Sequence, residues 1–328
     1  MHDTAKIREV GPRDGFQNEP EVIATERKVA LIDALARTGL ERLEVTSFVR
    51  ADVIPQLADA EEVLARIEIP REVAVSVLIP NERGLERALA LRERLRAERG
   101  DGDDDDDDDG GGDGRGGRAA FDEINVFMSA SETHNRKNVN RSIAESLAGL
   151  EAVLGRAREE GLRCEGVIST AFGCPYEGRV PAERVLEIAR RLCEAGAQEI
   201  GFGDTTGMAN PRQVGELFGL WREGLPGGVE LTAHFHNTRG QGLANVFAAL
   251  EAGIDSFESS FGELGGCPVP AGATGNIASE DLVSMLTEMG IETGIDLQAL
   301  IACARQAQEI IGRPLGSHTL VAGTIDWR

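Results

Sequence analysis

The chain reads as an α/β protein: a single (β/α)8 TIM barrel over residues 1–328, with a C-terminal closing helix and a disordered acidic insertion. Three observations predict this. Strand-like and helix-like segments alternate eight times, the pattern of a parallel sheet wrapped by helices. Strands such as Val73 to Ile79 are nearly continuous runs of β-branched and apolar residues, as expected when both faces are covered. The turn after the first strand, Gly11-Pro12-Arg13-Asp14-Gly15, is not the glycine-rich phosphate turn that would mark a doubly wound open sheet.

The elements follow in order. Lys6 to Val10 is a strand, and Thr25 to Thr38 is a helix carrying Val29, Leu31, Ile32, Leu35 and Ala36 near one face, stopped by Gly39. Arg42 to Phe48 is a strand and Pro55 to Ile67 a helix. After the strand Val73 to Ile79, Asn81 caps a helix running to about Arg99. Gly100 to Gly117 is an Asp/Gly tract without an apolar side chain, so it builds no core and repels itself. It is expected to be a disordered loop; it lacks the spacing of an EF-hand calcium loop. It lies between a helix and the next strand, which in a barrel is the face away from chemistry.

The alternation then resumes. Glu123 to Met128 is a strand, Ser142 to Glu160 a helix, Arg163 to Ala171 a strand, and Pro181 to Ala195 a helix with proline in its first turn. Glu199 to Gly203 is a strand and Pro211 to Arg222 a helix. A turn at Pro226-Gly227-Gly228 starts the strand that ends in Ala233-His234-Phe235-His236-Asn237, and Gly242 to Gly253 is the helix it feeds. Ser256 to Ser260 is the eighth strand, Ser279 to Met289 its helix, and Leu297 to Ile311 the closing helix.

Composition excludes several functions. The net charge of −22 argues against nucleic acid as a partner, although nine aspartates between Asp101 and Asp113 supply much of it. No run approaches the roughly 18 apolar residues of a membrane span. The first residues resemble neither a signal peptide nor a transit segment, so the chain is expected to be cytoplasmic. Five widely spaced cysteines, an odd number, suit free thiols in a reducing compartment.

The chemistry gathers at strand ends. His234 and His236 are two apart on a strand and so point the same way. Arg13-Asp14 follows the first strand, Glu44 lies in the second, Asp204 follows the sixth, and Gly265-Gly266-Cys267-Pro268 and Asn276 follow the eighth. One carboxylate, two neutral imidazoles and an amide oxygen make a mixed nitrogen and oxygen donor set. That set suits octahedral Mg2+ or Mn2+ better than structural zinc, which favours thiolates. Cys267, in its glycine-rich loop, is either a mobile acid/base or an inert small residue.

These motifs resemble one family. Val10-Gly11-Pro12-Arg13-Asp14-Gly15-Phe16-Gln17-Asn18-Glu19 is similar to the opening motif of 3-hydroxy-3-methylglutaryl-CoA lyases. So are Thr46-Ser47-Phe48, Gly173 to Gly178, Gly203-Asp204-Thr205, the two-histidine strand, Gly265 to Pro268 and Gly275-Asn276. The resemblance runs from about residue 7 to residue 297, apart from the acidic insertion. It implies a metal-dependent carbon–carbon lyase acting on an acyl-CoA. By motif, Asp14, His234, His236 and Asn276 match the metal ligands, and Arg13 matches the arginine that holds the thioester oxygen. Cys267 matches the cysteine of a mobile loop, His234 is a candidate base, and Gln17, Glu44 and Asp204 match substrate-site residues. The chain departs from the family pattern at Asn237, Arg239, Glu263 and Val269, where aspartate, tyrosine, glycine and tyrosine are common. These departures lie around the substrate and leave the metal ligands intact.

The main alternative is a Claisen-type synthase or lyase of the same superfamily acting on another acyl-CoA or keto acid, although such synthases usually carry a further C-terminal region. A Schiff-base aldolase is disfavoured, since of Lys6, Lys28 and Lys137 only the last approaches the expected site. An inactive metal-binding barrel fits poorly with the intact Arg13, Asp14, His234, His236, Cys267 and Asn276 set. A homodimer is the expected assembly.

Overall fold

A computed structural model describes residues 2–99, 120–266 and 274–327. The acidic tract and Cys267 lie outside the described residues. In chain order the first half holds β1 (Lys6–Glu9), α1 (Thr25–Leu35), β2 (Arg42–Ser47), α2 (Ala60–Arg66), β3 (Ala74–Leu78), α3 (Glu82–Arg99), β4 (Glu123–Ser129), α4 (Glu132–Val139) and α5 (Ile143–Glu159). The second half holds β5 (Arg163–Ser169), α6 (Ala182–Ala195), β6 (Glu199–Asp204), α7 (Pro211–Gly224), β7 (Glu230–Phe235), α8 (Gly242–Glu251), β8 (Ser256–Ser259), α9 (Ser279–Glu288), α10 (Leu297–Ile311) and α11 (His318–Ala322). Each strand pairs in parallel with the next, and β8 pairs with β1, closing the eight-stranded barrel that the alternation predicts. No helix among the described residues is long and apolar enough to cross a membrane.

Local chemistry explains the boundaries. Ser142 and Glu145 form a reciprocal capping box at the start of α5. Asn81 accepts from the Gly84 amide at 3.0 Å before α3. The predicted helix over 55–67 divides into a 3-10 turn, Pro55–Leu57, and α2. The predicted helix over 25–38 ends at Leu35, with Thr38 Oγ1 donating to the Leu35 carbonyl. The segment Gly11–Gly15, expected to be a turn, is one turn of π-helix. Such turns are rare and concentrate at functional sites. Gly11 is required there, because a Cβ would lie 2.6 Å from Cδ1 of Phe261 and 2.7 Å from Oε1 of Glu9.

The strands' outward residues form the core against the helices: Leu43, Val75, Val77, Ile124, Val126, Met128, Ile168, Ile200, Phe202 and Phe235, all sealed from solvent. Phe202 stacks on Trp221 of α7 with ring centroids 4.3 Å apart, and Phe218, Phe172 and Phe235 complete the cluster. The interior of the barrel is different. Barrel interiors are commonly layered with Val, Ile and Leu; this one holds ions. Arg8 Nη1 donates to Glu165 and, at 2.9 Å, to Glu258, while Nη2 reaches Glu199 at 3.0 Å. Nearer the strand starts, Arg42 binds Glu123 at 2.8 Å and Glu199 at 2.5 Å. Arg163 binds Glu230 at 2.5 Å. Carboxylates outnumber arginines here. Burial, reinforced by Glu199 and Glu258 against the pull of Arg8, pushes Glu165 well above the ordinary carboxylate range.

A second buried carboxylate pair sits where β1 and β8 end. Glu9 accepts from the amides of Gly11 at 2.6 Å and Phe261 at 3.1 Å, and from Ser279 Oγ at 2.5 Å. Glu280 accepts from the Gly262 amide at 3.0 Å. The two fix the turn Phe261–Glu263 that leads to Gly265 and Gly266.

Two predictions follow from this interior. Arg8→Met takes from Glu165 its paired cation and from Glu258 and Glu199 one of their partners, so urea unfolding should register a loss of about 3–5 kcal/mol; a loss below about 1 kcal/mol would mean the network adds little. Burial pushes Glu9 up to about 7 and Glu280 up to about 8, despite the amide bonds that favour their charged forms. Unfolded, both titrate near the ordinary value of about 4.3. The folded state therefore keeps protons that the unfolded state has lost, and stability should fall as pH rises from about 5 to about 8. Glu280→Gln should flatten that decline in the urea midpoint, and an unchanged slope would refute the assignment.

Candidate metal and active centre

The π-turn after β1 turns Arg13 and Asp14 over the mouth of the barrel. Asp14 is 8% exposed, and four groups bind it or its neighbours. Arg13 Nη1 donates to Asp14 Oδ1 at 2.8 Å, Gln17 Nε2 to the same oxygen at 2.7 Å, and Asn276 Nδ2 to Asp14 Oδ2 at 2.7 Å. Arg13 Nη2 donates to Glu44 Oε2 at 2.6 Å. Glu44 stands where the β2–β3 register shifts, and its other oxygen accepts from Asn125 Nδ2 at 3.1 Å. Arg13 is thus fixed by two carboxylates through two of its five N–H groups, and its buried Nε has no partner.

His234 lies on β7 with His236 just beyond its end, bridged to Asn276 on the returning chain. The two Nε2 atoms face each other at 3.0 Å. His234 Nδ1 lies 2.8 Å from Glu258 Oε2, so the ring's proton belongs on Nδ1 and the Nε2 lone pair turns inward. Ligand atoms of Asp14, His234 and His236 all lie within 4.8 Å of one another. Asn276 Nδ2 also donates to the Leu264 carbonyl at 3.0 Å, which identifies Oδ1 as the remaining atom, and that oxygen is buried without a partner. Two inward nitrogen lone pairs, a carboxylate and an unpartnered amide oxygen fit a hard or borderline divalent cation. Gly265 makes the closure feasible: its φ is +95°, and a Cβ would stand 2.6 Å from Asn276 Nδ2 and 2.9 Å from Asp14 Oδ2.

The charges are mutually set. Burial alone would raise Asp14, but Arg13 and the two imidazoles hold it below the usual carboxylate range. Burial would likewise raise Glu258, yet its bond to His234 and the charge of Arg8 bring it down to about 2. Burial depresses both imidazoles. For His234 the Glu258 bond overcomes this and raises the ring, whereas His236, facing His234, falls to about 3 and stays neutral.

The structure therefore joins Arg13, Asp14, Gln17, Glu44, His234, His236 and Asn276 in one hydrogen-bonded and facing cluster. Asp204, at the end of β6, feels the charge of His234 but makes no hydrogen bond to the cluster. Its Oδ1 accepts from the amides of Met208 at 2.7 Å and Ala209 at 3.1 Å, its Oδ2 is buried without a partner, and burial pushes it up to about 7. Cys267 lies outside the described residues. Sequence reasoning missed Glu258 and Asn125, which hold His234 and Glu44. The available signal was alternation: Glu258 follows the outward Phe257, and Asn125 stands between the outward Ile124 and Val126, which puts both on the inward face.

Comparisons with known proteins identify the family. The family model described as HMGL-like matches residues 4–306. The chain is 44% identical over 314 residues to the hydroxymethylglutaryl-CoA lyase YngG of Bacillus subtilis, covering 96% of this chain and 95% of that protein. It is 40% identical to the hydroxymethylglutaryl-CoA lyase of Pseudomonas mevalonii, covering 90% of this chain and 88% of that one. The crystal structure of the B. subtilis HMG-CoA lyase superposes with a TM-score of 0.87 at 42% identity, covering 98% of each chain. An HMG-CoA lyase from Acinetobacter baumannii, solved with coenzyme A and 3-methylmalate, superposes with a TM-score of 0.86 at 37% identity, covering 99% of this chain and 97% of that one. With its closed barrel, its clustered ligand atoms and a family match across most of its length, this chain belongs to the HMGL-like family.

Proposed function

We propose that this protein is a carbon–carbon lyase that cleaves 3-hydroxy-3-methylglutaryl-CoA to acetyl-CoA and acetoacetate with Mg2+ or Mn2+. The observation that carries the reading is the meeting of Asp14, His234 and His236 beside Arg13, in a chain about 40% identical to named lyases over nearly its whole length. The coenzyme A seen in the Acinetobacter relative supports an acyl-CoA substrate.

The reaction breaks the C2–C3 bond. The C3 hydroxyl loses its proton, the oxygen's electron pair becomes the ketone of acetoacetate, and the bonding pair passes to the thioester as an enolate. Protonation at C2 completes acetyl-CoA. Asp14, His234, His236 and Asn276 would hold the cation, which supplies polarisation of the hydroxyl and a lower pKa for it. Asp14, through an oxygen not given to the cation, is the acceptor for the hydroxyl proton, or His234 in its place when its Nε2 is not given to the cation. Glu258 keeps His234 in one tautomer and would stabilise it when charged. Arg13, immobilised between Asp14 and Glu44, presents its remaining N–H groups where the enolate charge develops. Cys267 is the proposed donor of the proton to C2. Gln17 orients Asp14, and Glu44 and Asp204 line the substrate site.

The test is incubation of the purified protein with Mg2+ and 3-hydroxy-3-methylglutaryl-CoA, with acetyl-CoA and acetoacetate followed by mass spectrometry. Absence of both products, with the ester recovered intact, rejects the proposal. Arg13→Gln should lower kcat by about 10²-fold or more while leaving Mn2+ affinity within a few-fold; near-wild-type turnover would remove Arg13 from the mechanism. Glu258→Gln should weaken Mn2+ binding about 10- to 100-fold by calorimetry, because the imidazole loses the carboxylate that orients it. Unchanged affinity would show that β7 alone aims the ring.

A further inference from the structure

The mouth of the barrel is chemically two-sided. Arg13, Asp14, Glu44, His234, His236 and Asn276 come from β1, β2, β7 and the segment after β8. On the opposite arc, formed by β3, β4 and β5, the inward positions toward the carboxyl ends are Leu78, Phe127 and Val167, with Ser129 and Ser169 following at the rim. Their direction follows from contacts. Glu123 and Glu165 meet arginines inside the barrel, so side chains two and four residues further along share that face. Asn125 confirms this by reaching Glu44, and Phe127 is the next in the series. Phe127 and Val167 are register partners, as are Leu78 and Asn125. A Cβ built on Gly201 would meet Glu165 Oε1 at 2.7 Å and Val167 Cγ2 at 3.3 Å, which places both of those side chains on one face.

None of the three belongs to the core between barrel and helices or packs against it. Phe127 and Val167 are partly exposed, while the outward residues beside them, Val126, Met128 and Ile168, are completely buried. Below them the barrel is filled by the Arg8, Arg42 and glutamate network. Solvent therefore reaches Phe127 and Val167 through the mouth, from the side on which a substrate enters.

We propose that Phe127 and Val167, with Leu78 beside them, form an apolar wall that receives the C3 alkyl substituent, and that the chain selects 3-hydroxy-acyl-CoA esters carrying an alkyl group rather than hydrogen at C3. This rests on the lyase reading above. The tetrahedral C3 carries a hydroxyl, the C2 arm to the thioester, the carboxylated C4 arm and one alkyl group. The first three end in oxygen atoms that suit Arg13 and the ligand cluster. The fourth points away from that arc and meets the wall.

An apolar wall discriminates one methyl by a factor of about 10 to 200 in kcat/KM. The test measures kcat/KM for the CoA esters of 3-hydroxyglutarate, 3-hydroxy-3-methylglutarate and 3-butyl-3-hydroxyglutarate on the wild type, Val167→Thr and Phe127→Ala. The wild type should prefer methyl over hydrogen by about tenfold or more. Val167→Thr, which keeps the shape and adds a hydroxyl, should cut that preference at least about threefold. Phe127→Ala should raise the butyl-to-methyl ratio by about tenfold as the wall recedes. Ratios that stay within about twofold of wild type in both variants, with 3-hydroxy-3-methylglutaryl-CoA still cleaved, overturn the wall and leave the lyase reading standing. Cleavage of none of the three esters by the wild type overturns both.

Discussion

The carboxylate of Glu258 joins two systems that would otherwise be separate. One oxygen accepts from Arg8 at 2.9 Å and the other faces His234 Nδ1 at 2.8 Å. Arg8 is itself held by Glu165 and Glu199, deep in the barrel. A buried arginine is tolerated only when its charge is matched and its donors are used. The ion network at the centre of the barrel thereby sets the ring orientation of a histidine at its mouth. In most barrels a packed apolar interior separates the two ends; here the interior transmits position from one to the other.

The same economy appears around Asp14. Arg13, Gln17 and Asn276 all donate to it, from the π-turn after β1, the 3-10 turn behind it, and the far side of β8. Those three sources converge because Gly11 and Gly265 carry no side chain where Phe261, Asn276 and Asp14 must pass. Glu9 and Glu280 then tie the turn at Phe261–Glu263 to β1 and α9, so the approach to the loop bearing Cys267 starts from a fixed point.

Much of this was legible in the residues. Alternating patterns marked every strand and all the barrel helices, and the His234–His236 spacing and the Arg13-Asp14 pair located the mouth. What escaped had physical reasons. The π-turn is hidden because Gly-Pro-Arg-Asp-Gly is equally good turn chemistry. Helix α4 was missed because Glu-Thr-His-Asn-Arg-Lys-Asn has no apolar stripe, and a Ser131 cap defines it instead. Alternation could put Glu258 on the inward face but not name its partners, because Arg8 and His234 are 250 and 24 residues away in the chain. Periodicity reports which face a residue occupies, whereas a partner that distant is known only once the barrel closes. The ionic interior escaped for the same reason, since charged residues on a strand read as solvent-facing until the opposite strands are in place.

The junction between α3 and β4 has a further meaning. Helix α3 ends at Arg99, the described chain resumes at Ala120, and β4 begins at Glu123. Arg99 and Ala120 both stand at the amino ends of the strands, at the opposite pole from Asp14 and the two histidines. Closure of the sheet between β3 and β4 is retained, with Ser76, Val77 and Leu78 in register with Glu123, Ile124 and Asn125. A tether or affinity handle joined at Arg99 and Ala120 would therefore leave from the pole of the hoop that carries none of the chemistry.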